Sequence, residues 1–347
     1  MVAMSGGVDS SVSAAILHNQ GLEVEGVTLN LFDFKKIGLN IDNNDITDAQ
    51  NVAKLLNIEH SVVNLENLFE EQVINKFVEG YLNGITPNPC IFCNKHIKFG
   101  ALLDYAKSHG CSKLATGHYA LIEHDSASKR FLIKRPIDSH KDQTYVLCFL
   151  TQEQLSHVVF PLAGSTKQET RKLAQHLGFS IFNKPESQDI CFVKGGKYID
   201  FIKHYTKLQN NPGNFVNAAG QVIGTHKGII NYTIGQRRWL GVSFGKPMYV
   251  IAKNSATNTV VLGEENELFK NKFIAQSVNF IPFTSLNGTM EVDAKIRYNH
   301  AGSPATISML NANEVLVEFK TPQKAITPGQ TVAFYKDEYL VGGGIII

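Results

Sequence analysis

Through roughly the first half of the chain, short apolar runs alternate with stretches of helical period. Val2, Ala3 and Met4 give way to Ser5-Gly6-Gly7-Val8-Asp9-Ser10, after which Val12, Ala15 and Ile16 recur at helical spacing until Gly21, placed as the C′ glycine of that helix. Val24-Glu25-Gly26-Val27-Thr28-Leu29 reads as a second strand and the polar stretch 35–44 as a loop. Residues 47–56 carry Val52, Ala53, Leu55 and Leu56 on one helical face. A strand over 60–64 then precedes a long amphipathic helix bearing Leu68, Phe69, Val73, Phe77, Tyr81 and Leu82. Lys113-Leu114-Ala115-Thr116-Gly117-His118-Tyr119 is a further strand that ends in Gly and His. Strands alternating with helices predict an α/β fold with a parallel sheet covered on both faces, and ligands of such sheets bind outside the carboxyl ends of the strands.

Thr166-Lys167-Gln168-Glu169 has the form of a capping box opening a helix that Gly178 closes. Beyond it the helical period fades. From about residue 213 the chain is rich in glycine and short β-like runs (Gly228-Ile229-Ile230-Asn231-Tyr232, Met248-Tyr249-Val250-Ile251). From about residue 273 it alternates as strands do, with turn signals at Asn287-Gly288 and Pro328-Gly329. The pattern predicts an α/β catalytic domain over 1–200, a small central domain over 201–268 and a C-terminal β-barrel over 269–347. A length of 347 residues agrees with two or three domains.

No apolar run approaches the roughly 20 residues of a membrane span, and the Gly-Gly loop comes so early that no signal or transit peptide is expected. A cytoplasmic protein follows. Net charge is +2, but residues 1–200 carry 19 Lys+Arg against 22 Asp+Glu and residues 201–347 carry 14 against 9. This mild asymmetry is compatible with phosphate backbones touching the later part. It is equally explained by a solvated surface, and falls short of a nucleic-acid footprint.

The chemistry-bearing residues fall in a few places. Two adjacent glycines between a strand and a helix let the backbone turn tightly and approach a ligand, while the free N–H groups of the first helical turn point at the same spot; this is an anion cradle. It lacks the Lys-Ser/Thr ending of a Walker A loop and the three-glycine spacing of a dinucleotide fingerprint. The five cysteines, Cys90, Cys93, Cys111, Cys148 and Cys191, are read as thiols rather than structural disulfides. In Thr86-Pro87-Asn88-Pro89-Cys90-Ile91-Phe92-Cys93-Asn94 the prolines stiffen the approach. Cys93 is predicted at or near a helix start, where the dipole lowers thiol pKa. Cys191 lies in the polar stretch Ser187-Gln188-Asp189-Ile190-Cys191-Phe192, with room for a mobile loop. Cys111 and Cys148 read as small buried hydrophobes. His118 has both a structural and a functional reading, and its place beside Gly117 on the rim of the sheet supports the second.

The hexapeptide SGGVDS resembles the pyrophosphate (PP) loop of the ATP pyrophosphatase superfamily, whose members split ATP into AMP and pyrophosphate, usually by adenylating a carbonyl oxygen. Together with TPNPCIFCNKHIKFG, ATGHYA, KDQTYVL, SQDICF, TIGQRR, TPGQTVAFY and GGGII, in that order over nearly the whole chain, it resembles the tRNA-specific 2-thiouridylases of bacteria. The resemblance implies replacement of the C2 oxygen of a wobble uridine by sulfur, with ATP adenylating that oxygen and a persulfide supplying the sulfur. Carried onto this chain, Ala3, Met4, Ser5, Gly6, Gly7, Val8, Asp9 and Ser10 would hold the ATP phosphates, and Leu29 and Gly117 would line the adenosine pocket. Cys191 would carry a persulfide delivered by a sulfur-relay protein, and Cys93 would be the partner nucleophile, leaving a Cys93–Cys191 disulfide. Asn88, Pro89 and Cys90 would meet the target base with His118 nearby, while Lys141, Asp142, Gln143, Arg297, Tyr298 and Gln330 would contact the tRNA anticodon stem-loop. The central domain and barrel would help to clamp it. A monomer is expected, with Mg²⁺ held by phosphate oxygens and water, shared at most with Asp9, and no dedicated metal cage.

Many members have Asp where this chain has Cys90. A thiol titrates near about 8.5 rather than about 3.9, so Cys90 does not substitute as an ionised carboxylate and the proton-handling residue is unassigned. The substitution also creates Cys90-x-x-Cys93 plus Cys191, a set that in principle could hold an iron–sulfur cluster, an alternative to the metal-free persulfide route. Two rival functions are an ATP-dependent amidating or ligating enzyme, which needs neither Cys93 nor Cys191, and a tRNA-binding protein without turnover.

Overall fold

The computed structural model describes residues 1–38, 44–186, 190–193, 197–242 and 245–347. β1 (Val2–Ala3) is followed by β2 (Glu25–Asn30), β3 (Glu59–Asn64) and β4 (Leu114–Ala115); after a hairpin of β5 (Leu121–Asp125) and β6 (Arg130–Lys134) comes β7 (Val158–Val159). Five of these form an all-parallel sheet in the order β3-β2-β1-β4-β7. The chain thus leaves β1 to opposite sides, and the crevice where ligands of such sheets bind opens between β1 and β4. α1 (Val8–Asn19) and α2 (Asp45–Leu56) cover one face, where Val12, Ala15, Ala49 and Val52 pack with Val2 and Met4. Ile91, Phe99, Leu102 and Tyr145 fill the other.

Local signals act as the sequence predicts in most places. Thr166 Oγ1 accepts from the Glu169 N–H at 3.2 Å and the Glu169 carboxylate from the Thr166 N–H at 2.7 Å, and Gly178 (φ +72°) stands beyond the helix Lys167–His176. The long helix forms over 66–82 in three consecutive segments. Within the expected loop 35–44, Phe34–Ile37 winds into a 3₁₀ turn capped by Asp33, and residues 39–43 lie outside the described residues. One reading is corrected: 228–232 is not a strand but a 3₁₀ turn, Ile229–Asn231. Gly228 (φ +115°) breaks extension there, and the Asn231 amide closes back on the Gly228 and Lys227 carbonyls.

The central sheet, β8 (Gly213–Val216), β9 (Val222–His226), β10 (Tyr249–Asn254) and β11 (Thr259–Gly263), buries Phe215, Val250 and Leu262 in one cluster with Phe77 and Tyr81 of the long helix. β12 (Phe269–Phe280), β13 (Thr289–Lys295), β14 (Ser303–Met309), β15 (Glu314–Lys324), β16 (Thr331–Lys336) and β17 (Tyr339–Ile346) form an antiparallel barrel, closed by pairing of β12 with β17. Its interior is filled by alternating residues such as Val292, Ala294, Ala305, Ile307, Val315 and Val317.

The barrel is joined to the first domain by backbone as well as side chains. β6 pairs with β17 (Ile133 with Leu340), so the hairpin of the first domain extends the barrel sheet. The Tyr145 hydroxyl donates to the Thr331 carbonyl at 2.7 Å, and the Asn279 amide to the Cys148 carbonyl at 2.8 Å. Among the described residues no helix is long and apolar enough to cross a membrane.

Gly343 of β17 lies so close to Cys148 that a Cβ there would stand 2.7 Å from Sγ and 2.6 Å from the Val332 carbonyl. Gly343→Ala should therefore lower stability by about 1–3 kcal/mol through overpacking. In urea unfolding, the loss in the Gly343→Ala/Cys148→Ala double variant should be smaller than the sum of the two single losses.

Candidate active site

At the carboxyl end of β1 the chain turns through Gly6, whose φ of +67° favours glycine and whose Cβ would collide with the Asp45 carbonyl at 2.2 Å. Gly7 is the N-cap of α1 and brings no side chain to the N–H groups of the first turn, while the Ser5 N–H is satisfied by Ser10 Oγ at 3.0 Å. Gly117, at the end of β4, presses on the same turn: a Cβ there would stand 2.7 Å from the Ser10 nitrogen. The Thr28 hydroxyl fixes the loop from below by donating to the Met4 carbonyl at 2.7 Å. Two strand ends thus hold a helix N-terminus whose donors face the crevice, the geometry of an anion site. Leu29 is half-buried on the neighbouring strand end.

Four cations surround this cradle; of these the sequence reading names only Lys141, as a tRNA contact, and none as a phosphate ligand of ATP. Lys167 Nζ holds both Asp9 oxygens (2.6 and 2.8 Å) and reaches Glu186 at 3.1 Å. Lys184 Nζ donates to the Gly6 carbonyl (3.0 Å), Asp45 (2.9 Å) and Asp48 (2.7 Å). Lys141 bonds Glu186 at 2.5 Å, with Arg171 3.9 Å from the same carboxylate. Partial burial works against the charge on Glu186, but the bonds from Lys141 and Lys167 outweigh it and hold its carboxyl below the usual range. The Tyr119 hydroxyl donates to Asp9 (2.9 Å), whose second contact orients it. The signals that could have found these residues were the lysine inside the capping box and the Lys-Pro-Glu immediately before SQDICF.

The thiol side of the crevice is built by a helical stretch over 89–108. Asn88 is its N-cap, its side-chain oxygen accepting from the Cys90 N–H at 3.1 Å, and Pro89 takes the first position, where a missing N–H costs nothing. The sequence reading put Cys93 at the start of this helix with a depressed pKa; the structure corrects it. Cys93 sits one turn in and is buried. Burial chiefly, with Cys191 and Cys90 nearby and against the pull of Lys98, pushes its thiol up to about 12. Cys90 is solvent-exposed, yet the protein around it raises its pKa too, against Lys98. Cys191 is exposed, and its neighbour Phe192 is anchored between Phe69, Phe77 and Phe201. Ser187, Gln188 and Asp189 of its motif lie outside the described residues. Cys148 is buried as expected, whereas Cys111 is half-buried, donating toward Glu25, rather than a buried hydrophobe.

The remaining expected substrate residues divide. Tyr298 of the barrel meets the Tyr145 ring edge-on at 5.9 Å, and the charges of Cys90 and Glu186 both act on it. Asn88 and Cys90, joined by the cap, thus lie on the side of Tyr298 and Glu186. His118 is buried, its Nδ1 2.7 Å from Thr116 Oγ1, and burial with Lys98 keeps it neutral, far below an ordinary histidine. Asp142 is buried against Arg135 and Thr144, Gln143 accepts from the Tyr119 N–H, and the Gln330 amide donates to the Thr86 carbonyl at 2.7 Å. Arg297 is exposed, donating to the Lys324 carbonyl at 3.3 Å. Among the described residues no group of three or more His, Cys, Asp or Glu has metal-ligand spacing, so Cys90, Cys93 and Cys191 are not gathered as cluster ligands.

Three family profiles match the chain in succession: the tRNA methyl transferase HUP domain over residues 1–195, the tRNA methyl transferase PRC-barrel domain over 199–264 and the Aminomethyltransferase beta-barrel domain over 270–346. The tRNA-specific 2-thiouridylase MnmA of Acetivibrio thermocellus is 47% identical over 352 residues, covering 100% of this chain and 98% of its own. That of Clostridioides difficile is 46% identical (100% and 97%), and that of Halothermothrix orenii 47% (100% and 98%). Among solved structures, NMN synthetase from Francisella tularensis aligns with 60% of this chain and 77% of its own at 18% identity and a TM-score of 0.33.

Alkylation of the native protein near about pH 7, read by peptide mass analysis, should modify Cys191 first and spare Cys93 and Cys148. Because burial pushes the Cys93 thiol up to about 12, its thiolate fraction and labelling rate should rise about tenfold per pH unit between about pH 7 and 9. Cys93 reacting as fast as Cys191 at neutral pH would contradict the buried thiol.

Proposed function

Since the chain belongs to the tRNA-specific 2-thiouridylase family, we propose how its residues divide the work of exchanging oxygen for sulfur at C2 of a wobble uridine in tRNA. The protein is a tRNA-uridine 2-sulfurtransferase that uses ATP. The N–H groups of the first turn of α1 bind phosphate, and Lys167 and Lys184 exchange their carboxylate partners for phosphate oxygens as pyrophosphate separates. Mg²⁺ accompanies ATP, held by phosphate oxygens and water, with Asp9 as the carboxylate at the cradle able to share it. The target base is extruded into the recess of Asn88, Cys90 and Tyr298. The observation that carries this reading is the helix N-terminus framed by Gly6, Gly7 and Gly117, with Lys167 and Lys184 held at its mouth.

Adenylation joins the C2 oxygen to the α-phosphorus and expels pyrophosphate. A sulfur-relay protein transfers its outer persulfide sulfur to Cys191. The terminal sulfur of the Cys191 persulfide bonds to C2 while the C2–O bond breaks and AMP leaves with both electrons. Cys93 thiolate then attacks the inner Cys191 sulfur, releasing the thiocarbonyl of the product and leaving a Cys93–Cys191 disulfide that a cellular dithiol must reduce. The resting Cys93 keeps its proton, which burial favours, and gives it up only as the disulfide forms. Neutral His118 contributes no competing positive charge. The protein acts as a monomer in the cytoplasm, where its tRNA substrate is.

In an assay with persulfide donor, ATP and an unmodified tRNA transcript, Cys93→Ser and Cys191→Ser should retain tRNA-dependent pyrophosphate release and lose thiolation. Cys93→Ser should accumulate a Cys191–S–S–C2 adduct visible by mass. No thiolation by the unaltered enzyme, with a tRNA-independent cleavage of ATP that is unchanged in both variants, would instead favour an amidating or ligating enzyme. Lys184→Met should raise the KM for ATP about 10- to 100-fold, the worth of one charged hydrogen bond, with tRNA affinity unchanged.

A further inference from the structure

The motif TIGQRR plays no part in the chemistry above, and the residue after it is the chain's only tryptophan. Trp239 is 89% exposed, far more than any other large apolar side chain described. Its φ of +64° is rare for a bulky residue and is retained only where the surroundings impose it. The loop is held from both sides. Gly235 donates to the Val250 carbonyl at 2.8 Å and approaches the barrel so closely that a Cβ would stand 2.9 Å from Ala325. Arg237 and Arg238 are exposed beside the indole and form no ion pair among the described residues.

From this loop a chain of contacts runs to the recess of the candidate site. The Arg237 guanidinium lies 6.0 Å from the centre of the Tyr249 ring, and Lys324 Nζ lies 5.2 Å from the same centre. Arg297 donates to the Lys324 backbone, and Tyr298, next to it, closes over Tyr145. Two carboxylates border the path: Glu265 holds Lys324 and also acts on Arg237, and Glu264 holds Lys246. An open indole beside the exposed guanidinium groups of Arg237 and Arg238 matches a base with its flanking phosphates. A protein partner would call for a larger apolar surround, and among the loop's described neighbours only Val242 and Pro247 are both apolar and exposed.

We propose that Arg297, Arg237, Arg238 and Trp239 form an RNA track leading away from the catalytic recess across the barrel to the central domain, and that an unpaired base of the bound tRNA stacks on Trp239. The proposal rests on tRNA being the substrate. It assigns to the central domain a contact outside the nucleotide that is thiolated.

As the only tryptophan, Trp239 reports on itself. Titrating the full chain with an unmodified tRNA transcript should quench its emission in a saturable way, and Trp239→Ala should weaken tRNA binding at least about fivefold with ATP binding unchanged. Arg237→Ala/Arg238→Ala should lower the slope of log affinity against log salt by about two. Both substitutions are on the surface, and the Tm should not move. Emission unchanged at saturating tRNA, in an enzyme that still thiolates it, overturns the track and leaves the indole to a protein partner. Failure of the unaltered enzyme to bind or thiolate any tRNA overturns the functional reading itself, so the two failures are distinct.

Discussion

The peptide of Thr86 is held by the barrel at both ends: its N–H donates to the Pro328 carbonyl at 3.0 Å and its carbonyl accepts the Gln330 amide at 2.7 Å. The segment that follows contains Pro87 and Pro89, which have no N–H of their own, so it has few means of fixing itself. What the barrel fixes is the point from which Asn88 caps the helix of Cys90 and Cys93. Two hydrogen bonds of about 0.5–1.5 kcal/mol each are small beside the stability of a domain, but they set where the thiols sit relative to the phosphate cradle. The thiol half of the site is therefore a joint property of the first domain and the barrel, and Gly329 (φ +87°), where a Cβ would stand 3.0 Å from the Thr86 nitrogen, allows the close approach.

The phosphate half follows a different rule. Its lysines are already paired with carboxylates of the same chain, Lys167 with Asp9 and Lys184 with Asp45 and Asp48. Unpaired charges at this depth would carry a desolvation cost, and internal carboxylates offset it. Binding a polyanion then becomes an exchange of one acceptor for another, which costs less reorganisation than bringing new cations to the site.

The parallel sheet, its crevice, the capping box and the closed barrel were legible because each depends on local pattern: apolar runs, helical spacing, strict alternation, and glycines at positive φ. The sequence also marked Cys93 and Cys191, but not the environment of Cys93. A helix start was read from the second cysteine, whereas the cap is Asn88 and the extra turn places Cys93 in the core, where burial reverses the expected pKa shift. The cations Lys167 and Lys184 carried no motif of their own because their role comes from tertiary convergence: they lie some 160 residues or more from the loop they serve. The run 228–232 looked like a strand by composition, and Gly228 with Asn231 decided otherwise. Gln330 and Asp142 were read as meeting tRNA; in the structure their side chains bond within the protein.

The hairpin β5–β6 finds its partner in β17, about two hundred residues further along the chain. Until that strand has left the ribosome, the second edge of β6 at Ile133 and Lys134 has no partner strand, and the Tyr145 hydroxyl lacks the Thr331 carbonyl it binds. A nascent chain can complete the phosphate cradle once Lys184 has emerged, but not the thiol recess. Synthesis itself thus orders the assembly: partial products can form a nucleotide pocket, yet none can bring activated substrate and sulfur together before the last strand is made.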